Sequence, residues 1–210
     1  MILKSVSVGN YGTNCYFFGS DKTKEVVIID PGAEIKKIVT AIKKLGVRPI
    51  AVLLTHGHKD HSHKAVKIAN IYRVPLMYHK REFDLRFFTQ KPADRWLKEG
   101  DEILVGELIL HVLETPGHTP GSISFFSKDT KEFDGQGIDG VLFTGDLFFF
   151  KRVGAWYYRG GNKEHLYLSI KNKIMNNSEL TDKYLIFPGH SRISSIGIER
   201  ESNEYKDFFL

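Results

Sequence analysis

Four well-separated apolar runs in this chain each hand over to a histidine or an aspartate in a short turn containing Gly or Pro. Residues 50–55, IAVLLT, lead into His56; residues 107–115, ELILHVLET, lead through TPG into His118; residues 140–145, GVLFTG, lead into Asp146; and residues 184–188, YLIFP, lead into His190. Short runs rich in Val, Ile, Leu and Phe predict strands with both faces buried. A chain built this way is constrained to gather its chemistry in loops at strand ends, where a rigid scaffold holds reactive side chains.

The remaining pattern is mixed α/β. Residues 25–30, EVVIID, read as a further buried strand, and Ile35, Ile38, Val39, Ile42 and Leu45 follow helical spacing up to Gly46, which ends that helix. A second helix is expected from about 62 to 71, a strand at 74–79, a charged loop over 91–103, a strand at 121–127 and a helix near 163–175. Residues 128–140, KDTKEFDGQGIDG, read as a long hairpin connection rather than a domain boundary. The expectation is a single domain over residues 1–210.

Composition narrows the class. An apolar fraction of 41% with 26% charged residues is that of a globular protein with a substantial core. The first residues alternate apolar positions Ile2, Val6 and Val8 without the features of a signal peptide, and no run could span a membrane. One cysteine, Cys15, allows neither an internal disulfide nor a Cys-rich zinc site, which points to a reducing, cytoplasmic setting. The formal charge of +5 raises a nucleic-acid partner. Lys36, Lys37, Lys43 and Lys44, however, fall on the polar side of the amphipathic helix, which reads as a solvated face. Nucleic acid and membrane are therefore not expected partners.

The densest feature is the stretch LLTHGHKDHSHKAV at 53–66, in which His56, His58, Asp60 and His61 form H-x-H-x-D-H. Imidazole is neutral and ligating near pH 7, and imidazoles mixed with a carboxylate suit zinc, manganese or iron. If the loop folds compactly, alternate residues converge on one ion while their neighbours turn toward another. Four donors underfill two ions, so the rest must come from His118, Asp146 and His190. His63 reads as a polar helix residue, and His79, His111 and His165 as structural or surface residues.

Six segments in order, TNCYFFG, IIDPG, THGHKDH, TPGHTPGS, FTGDLFF and PGHSRISSIGIERESN, resemble the metallo-β-lactamase superfamily, in particular its compact glyoxalase II-like (hydroxyacylglutathione hydrolase-like) hydrolases. The resemblance covers nearly the whole chain. It implies an α/β fold, an αββα sandwich of two mixed β-sheets flanked by helices, with two divalent metal ions per chain at one edge. Zinc is the first expectation, with iron or manganese as alternatives. It also implies that His56, His58 and His118 hold the first ion, that Asp60, His61 and His190 hold the second, and that Asp146 bridges them. Asp30, in IIDPG, either orients a ligand imidazole or is a strand-end turn residue.

The activity implied is hydrolysis of a small-molecule acyl thioester such as S-lactoylglutathione by a hydroxide shared between the metals, with Asp60 also able to accept or relay a proton. The chain ends twenty residues after His190, so the expectation is that it lacks the helical C-terminal domain that contributes glutathione contacts in the full-length enzymes. It also carries Ala155 where relatives often have Arg. Trp156, Tyr157, Tyr158 and Arg159 either form a substrate lip or cover core. The rival readings are a mononuclear-iron persulfide dioxygenase, a lactone or phosphodiester hydrolase, and a non-catalytic metal-binding protein. A β-lactamase of the common zinc type is disfavoured by Asp146, which stands where those enzymes have cysteine.

Overall fold

Alternation along single strands builds the layers. The computed structural model describes residues 1–210. Six strands form a first mixed sheet in the order β1 (Ile2–Val8), β2 (Thr13–Gly19), β3 (Glu25–Ile29), β4 (Arg48–Leu53), β5 (Leu76–His79) and β6 (Arg95–Leu97), antiparallel as far as β3 and parallel beyond it. A second comprises β7 (Glu102–Val105), β8 (Leu108–Glu114), β9 (Ile123–Ser127), β12 (Gly140–Gly145), β15 (Tyr184–Pro188) and β16 (Ser194–Ser195), in the order β16-β15-β12-β9-β8-β7. Two small hairpins, β10 (Glu132–Phe133) with β11 (Gln136–Gly137) and β13 (Phe148–Phe149) with β14 (Arg152–Val153), complete the strands.

Because successive side chains point to opposite faces, Tyr16, Phe18, Val27, Ile29, Ala51 and Leu53 of the first sheet meet Val112, Phe125, Val141, Phe143 and Phe187 of the second in one buried layer. Their neighbours Phe17, Ile28 and Val52 face outward instead, against Ile38 and Ile42 of α1 (Ile35–Leu45) and Ile68 and Ala69 of α3 (Ala65–Tyr72). Leu142 and Ile186 face the other way, against Leu166 of α5 (Lys163–Ser169), the π-helical turn Ile170–Met175 that continues it, and Ile196 of α6 (Ile196–Ser202). The result is the expected αββα order. Phe143 sits where the sheets meet, its ring 5.3 Å from that of Tyr16 and 5.4 Å from that of Phe187. Burying such a ring contributes about 1.5–3 kcal/mol, and truncation to Ala leaves a cavity in the layer beneath the strand ends.

Several expected boundaries move. The helix expected from 62 starts at Ala65, preceded by a separate turn, α2 (Lys59–Ser62), because Asp60 and His61 are drawn into the loop at the end of β4. The charged stretch 91–103 contains β6 and the start of β7 rather than only loop; both are edge strands, whose solvent-facing polar residues hide the pattern. The helix ending at Gly46 is as expected, its C-cap N–H bonding to Ile42 and Lys43, and all four lysines of its polar face are exposed. Residues 128–140 form the expected hairpin connection, which holds β10 and β11.

Candidate metal centre

The loops after β4, β8, β12 and β15 meet at one edge of the sandwich. His56 is buried just beyond the end of β4, and His58 stands immediately before α2, which carries Asp60 and His61. Nδ1 of His58 lies 2.8 Å from Nε2 of His118, and the nearest donor atoms of His56, His58 and His118 all fall within 4.8 Å of one another. A second set, Asp60, His61 and His190, meets the same limit, with the Nε2 atoms of His61 and His190 3.2 Å apart and Asp60 Oδ2 3.2 Å from His190 Nε2. Asp146 stands between the sets: Oδ1 is 3.3 Å from His61 Nε2, and Oδ2 is 3.5 Å from His118 Nε2 and 3.6 Å from His190 Nε2. All seven residues singled out in the sequence are thus brought together.

Outer contacts aim the rings. Nδ1 of His118 faces the carbonyl of Ala155 at 2.7 Å, and Nδ1 of His190 faces that of Tyr11 at 3.1 Å. Asp30 Oδ2 lies 2.9 Å from Nδ1 of His61. Thr55 donates to Asp30 from its backbone N–H, at 2.8 Å, and from its hydroxyl, at 2.6 Å. Asp30 with His56 and His61 forms a third close group. Its oxygens are engaged by Thr55 and His61, contacts that fix the orientation of the His61 ring.

The donor chemistry fits cations. Nε2 of His56 is buried with no hydrogen-bond partner, an orphan that a native core rarely tolerates without an ion or water. Burial first, then the neighbouring imidazoles, hold His56 well below the usual histidine range, and they bring His58 down to about 4; burial also lowers His118. These three rings are neutral, ligand-ready bases. Burial would lower His61 and His190 too, but the carboxylates outweigh it: Asp146 and Asp30 raise His61, and Asp60 with Asp146 raises His190. Against the cost of burial, His190 and His61 in turn hold Asp60 below the ordinary carboxylate range, and His61 leads in doing the same for Asp146. The two carboxylates that raise these imidazoles are the charge a bound cation would balance.

A cavity of about 710 Å³ opens over the cluster, lined by His58, Asp60, His118, Asp146 and His190 below and by Tyr11, Lys59, Phe149, Tyr157, Tyr158 and Arg159 around its rim. Trp156, expected at a substrate lip or over core, does not line it. It turns away from the cavity and packs on Tyr167 and Tyr205, because a half-buried indole gains more against the outer core than at a wet rim. Tyr157 and Arg159 do line the rim, and Arg159 donates to the carbonyl of Leu85 at 2.9 Å with its guanidinium 5.1 Å from the Phe87 ring. His63 and His165 are exposed; His79 caps α4 (Lys80–Asp84), and His111 stacks on Phe126.

Residues 8–190 match the model of the metallo-beta-lactamase superfamily. The chain belongs to that superfamily. Hydroxyacylglutathione hydrolase GloC of Haemophilus influenzae is 30% identical, over 98% of this chain and 98% of that protein. Among solved structures, the BLEG-1 B3 metallo-beta-lactamase superposes with a TM-score of 0.86 at 30% identity, over 98% of this chain and 99% of that one. TTHA1623, solved in a di-iron-bound form, superposes with a TM-score of 0.80 at 26% identity, over 96% of this chain and 99% of that one. Superfamily members of this size thus carry two metal ions at least in one case, and this chain has His and Asp groups that could hold them.

Three residues of β2 tie this edge together, two of them across the sheets. In TNCY, Thr13 donates to Asp60 Oδ2 at 3.2 Å, and Asn14 Nδ2 donates to the carbonyls of Pro188 and Ser191, each at 3.0 Å. The Tyr16 hydroxyl donates to Pro188 at 2.7 Å. The available signal was three hydrogen-bonding side chains within an otherwise apolar strand. The rim residues Tyr11, Lys59 and Phe149 carry no such signal.

Proposed function

We propose that this chain is a two-metal hydrolase of small acyl thioesters, with His56, His58 and His118 holding one ion, Asp60, His61 and His190 the other, and Asp146 shared between them. The observation that carries the reading is the position of Asp146, whose two oxygens reach toward both donor sets. Two divalent cations held there, zinc foremost with iron or manganese as alternatives, would supply a nucleophilic hydroxide at neutral pH and Lewis-acid polarisation of a carbonyl.

The protein's own groups do the rest. Asp60 lines the cavity, its Oδ2 accepting from Thr13 and facing His190, and in this reading it relays a proton as well as holding the second ion. A thioester suits a site without a strong proton donor near the leaving group, since a thiol of pKa about 8.5 departs readily as thiolate. Tyr11, Tyr157 and Tyr158 offer apolar contact at the rim, and Lys59 and Arg159 offer positive charge for a carboxylate. Support for a glutathione thioester comes from the GloC relative, which matches over nearly its whole length and so bears that name at a similar chain length.

The test pairs metal analysis with turnover on S-lactoylglutathione, a short acyl thioester, a β-lactam, a lactone, a persulfide and a phosphodiester. Two ions per chain with thioester cleavage is the expected result. Saturation at one ion overturns the binuclear assignment, and preferential turnover of any other substrate, the β-lactam of the BLEG-1 likeness included, overturns the thioester reading.

A further inference from the structure

We infer that Glu82 is a positioning residue for the three-imidazole set: its carboxylate clamps the loop carrying His56 and His58 to the loop carrying His118 and so fixes the spacing of the first ion's ligands. This inference rests on the metal reading above, and deepens it.

Glu82 lies on α4, in a charged stretch, KREFD, yet its side chain is fully buried. One oxygen, Oε2, accepts from the backbone N–H of Gly57 at 2.6 Å, between His56 and His58. The other, Oε1, accepts from the N–H of Gly121 at 2.9 Å and from the hydroxyl of Thr119 at 2.7 Å, beside His118. Two loops that belong to different sheets therefore hang from one carboxylate. Beside it the two loops meet through the backbone N–H of Ile123, which donates to the carbonyl of Thr55 at 2.9 Å, and through the rings of His58 and His118, whose Nδ1 and Nε2 lie 2.8 Å apart.

The close approach is built into the sequence. A Cβ on Gly57 would come within 2.8 Å of Glu82 Oε2, and a Cβ on Gly121 within 2.6 Å of Glu82 Oε1. Both glycines, in THGH and in GHTPGS, are therefore places where the backbone must reach this carboxylate unobstructed. Burying a carboxylate is costly, and burial does raise the Glu82 pKa while the three donors pull it back. A purely structural link between two loops could be made by apolar packing at lower cost. Only an acceptor with two oxygens can hold three donors from both loops at fixed distances.

The experiment titrates metal-free protein with cobalt(II) and reads the visible spectrum and the two stepwise affinities. In Glu82→Gln the amide nitrogen must face one donor it cannot accept from. The expected outcome is a loss of about 10- to 100-fold in affinity at the three-imidazole set, the usual scale for a residue that orients ligands, with an altered cobalt spectrum and the Asp60, His61 and His190 set unchanged. Thr119→Val, which removes one donor and leaves the carboxylate, should weaken the same ion several-fold and serves if the Gln variant does not fold. Leu142→Ala, a cavity in the outer core, controls for lost stability and should leave both affinities and the spectrum as they are. Wild-type protein that binds cobalt, with variants whose first-ion affinity and spectrum are unchanged, overturns the positioning role alone; wild-type protein that binds no cobalt overturns the metal reading and this inference with it.

Discussion

Asp30 Oδ2 lies 2.9 Å from Nδ1 of His61, and this contact leaves the other ring nitrogen, Nε2, facing Asp60, Asp146 and His190. A carboxylate can only accept, so it fixes one proton on Nδ1, and Nε2 is the atom whose lone pair is directed into the site once the ring's second proton has left. Asp30 sits at φ 54, a left-handed conformation that Asp and Asn adopt more readily than other side chains.

Asp30→Asn should therefore fold. With its oxygen kept by the Thr55 N–H, its amide would donate to Nδ1 of His61, moving the ring proton to Nε2 and blocking that atom as a ligand. We expect about 10- to 100-fold weaker binding of the second ion with a thermal midpoint within a few degrees of wild type. Unchanged affinity for both ions in a calorimetric titration would show that the tautomer is not set by Asp30.

The two donor sets should release their ions at different pH. A proton competes with a metal for the same lone pair, and metal-free His58 holds its proton only below about 4, whereas His61 and His190 hold theirs above the ordinary histidine value. The second ion's occupancy should therefore fall first as pH is lowered, while the first stays bound until more acidic solution. His190→Ala should mimic that first loss at neutral pH. Elemental analysis after dialysis at stepped pH checks the order, and simultaneous loss of both ions would contradict it.

The central strands, the helix ending at Gly46 and the seven clustered His and Asp residues were legible because each rests on a local pattern: a short apolar run, a 3.6-residue period, or chemistry-bearing residues just past a strand. What was not legible depends on partners distant in sequence. Ser62 continues the apolar period of Ala65, Ile68 and Ala69, so nothing local reveals the break that turns His61 inward. Glu82 reads as one more solvated charge until Gly57 and Gly121 are seen to close over it. Trp156 and Tyr157 are adjacent and alike in composition, and only the outer core formed by Tyr167 and Tyr205 separates their roles.

Asp146→Ala and Asp60→Asn should lose hydrolysis for different reasons. Removing Asp146 leaves five imidazoles with one carboxylate, and both ions should bind more weakly. Asn at 60 preserves shape and the Thr13 contact but removes a charge and a basic oxygen. Turnover should fall by about 10²–10⁴, the range of a general acid–base contribution, with little change in the unfolding midpoint. An Asn variant with wild-type turnover would deny Asp60 any part in proton transfer or in holding the second ion.

Recognition of the thiol portion of the substrate should be weak and should run through Arg159. The cavity rim is mostly aromatic, with Tyr11, Tyr157 and Tyr158 exposed, and apolar contact of that kind discriminates poorly between thiols. Arg159 is the better placed of the two rim cations for directional pairing: one of its five donors is spent on Leu85 and one face on Phe87, which holds the guanidinium still while its remaining N–H groups are free for a carboxylate. Shortening the thiol from glutathione to a small mercaptan should accordingly change kcat/KM by about 10-fold or less. Arg159→Ala should raise KM about 10-fold for carboxylate-bearing thioesters, the scale of one charge-assisted hydrogen bond, and shift neutral ones less than about 3-fold, with kcat nearly constant because the contact lies away from the reacting carbonyl. Equal losses on both substrate types would mean that Arg159 only pins the loop after α4, and a steep preference for intact S-lactoylglutathione would mean that the rim recognises the whole tripeptide.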